Sequence, residues 1–175
     1  MPIILNGTGT ISGLTAGGLP DGVITTDDIA AGAVTTAKLT GGPAFSVKRG
    51  TAQSFSASTW TKVQLNSEDF DTASCFDSST NYRFTPNVAG YYQINATIET
   101  NNVSGSYMIS IYKNGNSTFY GQYNNTTTSG STGAISTLLY LNGSTDYVEL
   151  YGYSNAAGNS FYERSHLSGF LARPA

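Results

Sequence analysis

Residue types that carry out catalysis are scarce in this sequence. The only histidine is His166 and the only cysteine is Cys75. A general base, a nucleophile or a metal ligand needs partner side chains, and no His or Asn motif accompanies either residue. We therefore interpret His166 as a packed or surface residue and Cys75 as a small apolar side chain or a free thiol. We predict no catalytic residues and no enzymatic activity.

One carboxylate cluster, formed by Glu68, Asp69 and Asp71, has a spacing that invites a chemical interpretation. Neighbours on a strand or turn point in different directions, so these groups do not form an acid/base pair. A solvated strand edge and a calcium site both fit the pattern, but the ligands are too few for a calcium cage. No Gly-rich loop joins a strand to a helix as a nucleotide site requires. We predict neither metal nor cofactor.

Binding is the chemistry that the sequence favours, because residues 118–125 and 151–155 are rich in Tyr, Asn, Ser and Gly. Placed in loops, such residues provide rigid aromatic rings and adaptable hydrogen bonds, which suit a cell-surface glycan or protein. The same tyrosines could instead form a trimer core or line strands. The candidate receptor-binding residues are Tyr120, Tyr123, Asn124, Tyr151 and Tyr153.

The composition of the 175-residue chain indicates an all-β protein. Charged residues make up 11%, while Gly numbers 20 and Tyr 12. Aromatic and Thr side chains fit a half-buried pleated surface, and Gly and Asn supply the turns. The net charge of -3 comes without a basic stripe, so we predict no nucleic-acid partner. The absence of a long apolar run or of a secretory signal predicts no membrane insertion and assembly in a host cytoplasm.

The chain after Pro43 alternates as strands do. Residues 89–99 place apolar side chains on one face and polar ones on the other. Residues 113–116 and the pair Asn142-Gly143 each predict a hairpin turn, and residues 161–171 predict one closing strand. Strands of this number and spacing predict an antiparallel two-sheet sandwich of the jelly-roll type. The predicted core residues are Phe45, Phe84, Tyr92, Ile94, Ile109, Ile111, Val148, Leu150 and Phe170.

Residues 1–43 differ from the rest, being Gly-rich, free of aromatic residues and closed by Gly41-Gly42-Pro43. The breakers predict a domain boundary, with 1–43 as an attachment segment and 44–175 as the main domain. Thr25 and Thr35 are candidate N-caps of helices too short to persist alone. The aliphatic side chains then pack on copies of the same segment, or else the segment is a flexible linker. The aliphatic residues are Ile24, Ile29, Val34 and Leu39.

Five landmarks in residues 44–172 resemble the globular-head domain of the first complement component. They are the opening at residues 44–47, the stretch 82–94 with Phe84, Pro86 and Gly90-x-Tyr92, the Lys113-Asn114-Gly115 turn, the 141–150 segment, and the ending at 161–171. The superfamily, which includes tumour necrosis factor, consists of trimeric jelly rolls, so the resemblance implies a homotrimer. Three departures are Ile94 in place of an aromatic residue, residues 144–146 in place of a common Gly-Asp pair, and the lack of a collagen-like stem.

Residues 5–14 and 18–30 resemble the start of tail-fibre and related virion proteins of tailed bacteriophages. The resemblance implies a trimer whose N-terminal segment contacts another virion protein and whose jelly roll points outward to a host receptor. Two function classes stay open: a receptor-binding fibre, and a head fibre or capsid decoration trimer without a specific receptor. A bacterial surface or spore-coat adhesin is a weaker alternative.

Overall fold

The computed structural model describes the backbone of residues 41–100, 105–126 and 131–175, with side chains throughout except at 122–126 and 131. Residues Gly41–Ala175 form one compact unit. The four aliphatic residues and the two N-caps of the predicted attachment segment lie outside the described residues. The attachment segment and its boundary at Pro43 therefore stay predictions.

The described residues contain thirteen strands and no helix. They therefore include no helix that could span a membrane. In chain order the strands are β1 (Ala44–Lys48), β2 (Gln53–Phe55), β3 (Thr61–Lys62), β4 (Ser67–Asp71), β5 (Phe76–Asp77), β6 (Arg83–Phe84), β7 (Ala89–Thr100), β8 (Gly105–Lys113), β9 (Asn116–Thr126), β10 (Ser131–Asn142), β11 (Val148–Ser154), β12 (Asn159–Phe161) and β13 (His166–Pro174).

The strands form two sheets, and every strand pairing is antiparallel. The first sheet runs β4-β1-β13-β7-β10, with β12 and β2 joined beside the C-terminal end of β7. The second sheet runs β5-β6-β11-β8-β9, with β3 also paired to β11. The predicted all-β, antiparallel, two-sheet jelly-roll sandwich is confirmed.

The core lies between the inner faces of the two sheets. Strand β7 shows the cause, because its alternation buries Tyr92, Ile94, Ala96 and Ile98 and turns the residues at the alternate positions outward. Three rings pack across the sandwich: Phe45 stacks on Phe84 at 4.2 Å, and Phe84 meets Tyr92 edge-on at 5.5 Å. Eight of the nine predicted core residues are fully buried: Phe45, Phe84, Tyr92, Ile94, Ile109, Ile111, Val148 and Leu150.

The ninth prediction, Phe170, is wrong, because this side chain is 49% exposed. In β13 the buried position next to it is Gly169, which pairs with Phe45 and Ile94. A Cβ on Gly169 would meet the Ile94 side chain, the Gln93 carbonyl and the Phe45 ring at less than 3 Å. Neighbouring side chains already fill the inward site, so alternation directs Phe170 to the outer face.

The first predicted hairpin is confirmed. Residues Asn114 and Gly115 connect β8 to β9 with φ of 53° and 76°, which are the positive values that a primed turn requires. The Asn114 side chain also accepts the Tyr147 N–H at 2.9 Å and donates to Asp146 Oδ1 at 2.8 Å. This turn is therefore anchored to the segment that precedes β11.

The second predicted hairpin is wrong, because β10 pairs with β7 whereas β11 pairs with β8 in the other sheet. The Asn142 side-chain oxygen accepts the N–H groups of Ser144, Thr145 and Asp146. This loop carries the chain across the sandwich instead of folding it back. The single closing strand is also wrong, since residues 162–165 interrupt the run and leave β12 and β13 as separate strands.

Candidate binding surfaces

An aromatic platform covers the outer face of the second sheet. We give this name to Trp60, Tyr112, Tyr120, Tyr151 and Tyr153. Trp60 lies over rings from three strands, with centroid distances of 5.5 Å to Tyr153, 5.8 Å to Tyr120 and 6.2 Å to Tyr112. Tyr112 and Tyr151 stack at 3.8 Å with planes 16° apart.

Strand alternation places these rings outside. In β8 the inward positions are Tyr107, Ile109 and Ile111, which leaves Tyr112 on the opposite face. In β11 Leu150 points inward and Tyr151 outward. The two segments that the sequence placed in loops are thus strands, β9 and β11, and the loop prediction is wrong. The tyrosines line strands, which was the alternative interpretation.

The platform residues differ in exposure. Tyr120 is 67% exposed, while the other four rings are half-buried against each other. Burial raises the pKa of Tyr151 to about 12 and also raises that of Tyr112, because the charged form loses its hydration. Tyr123 and Asn124 lie in β9, but their side chains are outside the described set. The receptor role of all five candidates stays a prediction.

The charged residues beside the platform neutralise each other. Glu149, opposite Tyr112 in the register, has a nearly buried side chain, and its carboxylate lies 2.5 Å from Lys62 Nζ. Lys62 pairs with Tyr151 in the register and also donates to the Asn81 carbonyl at 3.2 Å. A buried carboxylate is stable only with such a partner. The pair therefore leaves the platform without net charge.

An apolar face lies on the outer side of the first sheet, and we give this name to Phe70, Tyr91, Leu138, Tyr140 and Phe170. Their exposed fractions lie between 41% and 54%. They come from four strands. The register places Tyr91 opposite Tyr140, and it places Gln93 between Phe170 and Leu138 as the partner of both. The face is therefore one surface and not a set of scattered residues.

A polar network stands within the apolar face. Gln93 Nε2 donates to Ser136 Oγ at 2.8 Å, and Ser136 Oγ donates to Asn95 Oδ1 at 2.8 Å. Gln93 and Asn95 alternate outward along β7 between the buried residues, and Leu138 and Ser136 are their partners in β10. The network adds directional hydrogen-bonding groups to a surface that is otherwise apolar.

The residues that first suggested catalysis or metal binding are engaged in local structure. Asp69 pairs with Lys48, and Asp71 accepts the N–H groups of Ala73 and Phe76. Burial lowers the pKa of His166 and raises that of the Cys75 thiol. Among the described residues no group of three or more His, Cys, Asp or Glu side chains is arranged to hold a metal ion.

Sequence reasoning missed Trp60 and the apolar face. Trp60 precedes β3 in a Ser- and Thr-rich segment without alternation, and its only signal was that it is the single tryptophan. The apolar face did leave a signal, since residues 138–141 read Leu-Leu-Tyr-Leu. A strand with apolar side chains on both faces packs on the core with one face and presents an apolar surface for contact with the other.

Two antiparallel sheets packed face to face, each with aromatic side chains on its outer surface, define this part of the protein as a jelly-roll domain. A profile of the C1q domain matches residues 44–172. The chain belongs to the C1q domain family. No curated protein sequence matches it significantly.

Solved structures agree with the family assignment. The globular domain of zebrafish complement 1qA protein is 20% identical, with a TM-score of 0.60 over 76% of this chain and 99% of that one. The PRD1 vertex protein P5 is 19% identical, with a TM-score of 0.57 over 76% and 99%. Murine APRIL is 10% identical, with a TM-score of 0.57 over 74% and 98%. At these identities the likeness concerns the fold.

Proposed function

We propose that this protein is a homotrimeric virion fibre of a tailed bacteriophage, whose jelly roll binds a glycan or protein of the host surface. The observation that carries the proposal is the apolar face, which calls for a partner surface. Membership of the C1q domain family supports a binding or structural role. The likeness to a vertex protein of PRD1 supports a place on a virion.

The trimer follows from the physical cost of the apolar face. Five large side chains that are each about half exposed form an apolar patch on the order of 500 Å² if each has about 200 Å² of surface, and a patch of this size often marks a contact site. Identical copies are the simplest partner, since every copy brings the same surface, and closed cyclic symmetry buries it in all of them. The Gln93–Ser136–Asn95 network would then fix how the copies are oriented.

In this proposal the N-terminal segment and the jelly roll have different roles. The N-terminal segment, with Ile24, Ile29, Val34 and Leu39, contacts another virion protein and helps to align the three chains. The jelly roll points away from the particle, where its outer surfaces meet the host. No nucleic acid is involved, in keeping with the acidic chain, and no part of the fibre enters a membrane.

Microscopy of the intact particle tests the location. Gold-labelled antibody against residues 44–175 should decorate fibres projecting from the virion, and absence of the protein from purified particles would contradict the proposal. Deleting residues 1–40 should leave a folded trimer that fails to join the particle. Loss of trimers in this variant would instead assign chain association to the attachment segment.

A head fibre or capsid decoration trimer is the second candidate, and it is favoured by the structural neighbour that is a vertex protein. Adsorption separates the two candidates. The receptor-binding role requires saturable adsorption of the purified protein to host cells and competition with infection. A decoration trimer shows neither and labels the head instead of the tail.

A further inference from the structure

We propose that the aromatic platform binds an uncharged glycan, with one pyranose ring stacked on the exposed ring of Tyr120 beside Trp60. This inference rests on the proposed function, because it names the site and the ligand class of the receptor-binding surface. Nothing in the family assignment locates a ligand on this face.

The geometry of the two rings suits a sugar. Trp60 and Tyr120 have centroids 5.8 Å apart and planes inclined by 56°, so the two rings are in contact and form one continuous, angled aromatic surface. Tyr153, tilted by 43° against Trp60, supports the indole from another side. A pyranose ring has an apolar C–H face, which packs on an aromatic face, and a hydroxyl edge, which needs hydrogen-bond partners. Tyr120 supplies the accessible ring, being 67% exposed.

The polar groups of the platform suit hydroxyl groups. The rings of Tyr112, Tyr120 and Tyr153 lie around Trp60, and each carries a hydroxyl that can both donate and accept a hydrogen bond. A purely apolar occupant would leave those phenols to water or desolvate them without a partner, which costs free energy. A polyhydroxylated occupant satisfies them instead.

The charge around the platform favours a neutral sugar. The carboxylate of Glu149 is held 2.5 Å from Lys62 Nζ, which also donates to the Asn81 carbonyl. An acidic glycan would have to take Lys62 from this nearly buried carboxylate, leaving an unpaired charge behind. The site therefore selects against sialic acids and uronic acids.

A second copy of this chain fits the platform less well than a sugar does. Only Tyr120 is substantially exposed, so the platform presents on the order of 400 Å² at most if each ring side chain has about 200 Å². The apolar face, on the other sheet, is more open to a copy, since each of its five residues is 41% to 54% exposed, whereas Trp60, Tyr112, Tyr151 and Tyr153 are less exposed than that.

The platform contains its own reporter, because Trp60 is the single tryptophan of the chain. We would titrate the full-length protein with maltoheptaose, cellohexaose and the tetramer of N-acetylglucosamine, and follow tryptophan emission. At least one of these uncharged probes should produce a saturable change, whereas polysialic acid should produce none. Tyr120→Ala should weaken binding at least about tenfold, as expected for a central aromatic contact, while Tyr120→Phe, which keeps the ring, should retain most of it.

Three results would overturn the proposal. The first is no emission change with any of the three uncharged probes up to about 10 mM, beyond the weakest useful affinities. The second is equal affinity in Tyr120→Ala and the parent protein. The third is a smaller assembly of Tyr120→Ala in sedimentation, which would assign the platform to contact between copies. The virion location is measured independently of sugar binding. A protein that responds to a sugar but is absent from virus particles would contradict the proposed fibre function and leave the glycan site standing.

Discussion

Tyr91 and Tyr140 meet edge to face on the outer surface of the first sheet, with ring centroids 5.7 Å apart and planes at 63°. They are opposite each other in the register of β7 and β10, and 46% and 41% of their surfaces are exposed. Two paired rings left half open to water provide a rigid aromatic ridge in the apolar face. This ridge is where we expect the strongest contact between copies of the chain.

Replacing Tyr140 by Ser should therefore weaken self-association by at least about tenfold, as removal of a central aromatic residue usually does. Sedimentation velocity over a dilution series would show the trimer giving way to smaller species. Tyr120→Ser, which removes a ring from the opposite side of the sandwich, is the matched control and should leave the assembly unchanged. A Tyr140→Ser protein that stays trimeric at all dilutions would remove the apolar face from the interface.

Two substitutions of Tyr92 should destabilise the protein to different degrees. This side chain is fully buried against Phe84, and its hydroxyl donates to the Val88 carbonyl at 2.7 Å. Tyr92→Ala should lower the free energy of unfolding by about 3 to 5 kcal/mol through the cavity it leaves. Tyr92→Phe keeps the ring and should cost only about 1 kcal/mol for the lost hydrogen bond.

Urea unfolding at one fixed chain concentration measures both Tyr92 variants, since assembly adds to the apparent stability. A loss below about 1 kcal/mol for Tyr92→Ala would contradict the packing described for β7.

Two glycines with similar backbone angles should respond differently to alanine. Gly115 has φ of 76°, and a Cβ there would meet only the Tyr147 hydroxyl, at an ordinary contact distance of 3.5 Å, so Gly115→Ala should cost about 1 kcal/mol for the left-handed conformation alone. Gly143 has φ of 72°, and a Cβ there would overlap the backbone of Val88 and Ala89. Gly143→Ala should cost clearly more, about 2 kcal/mol or above. Thermal melts of the two variants side by side give the order, and equal losses would refute the close approach at Gly143.

Lowering the pH should destabilise the turn that follows β5. The backbone N–H groups of Thr80 and Ser79 donate to Asp77 and hold the pKa of its carboxyl well below the ordinary value. Because the folded-state pKa is the lower one, the carboxylate stabilises the fold above about pH 4, and this contribution is lost as the pH falls. The melting temperature of Asp77→Asn should be lower than that of the parent at neutral pH and should fall less on acidification. Parallel curves for the two proteins between about pH 2 and pH 6 would exclude the effect.

The sequence predicted the core of this protein well because alternation is a local property. Along β7 every second side chain is apolar, and those side chains are the buried ones. Phe170 shows where local reasoning failed. Phe170 and Leu171 are adjacent large apolar residues that point to opposite faces, so the local sequence does not tell which of them points inward. Only the partner strands reveal that Phe45 and Ile94 leave room for nothing larger than Gly169 on the inside.

The candidate site was predicted in part for the same reason. Tyr120, Tyr151 and Tyr153 were chosen by composition, and the sheet brings all three to one face. Their setting was predicted wrongly, because Tyr- and Asn-rich segments occur in exposed strands as well as in loops. Trp60 could not be found, since it joins the cluster only through contacts with rings of β8, β9 and β11, which are distant in the chain.

The amino-acid sequence by itself determined the strand content, the two-layer architecture, the first hairpin and nearly all of the core, since these depend on side-chain period and on turn residues close in the chain. Only the tertiary structure decided that Asn142-Gly143 carries the chain from one sheet to the other, that Phe170 faces water and that Trp60 centres the aromatic platform. Each of these depends on which strands become neighbours, and strand neighbours are set by contacts between distant parts of the chain.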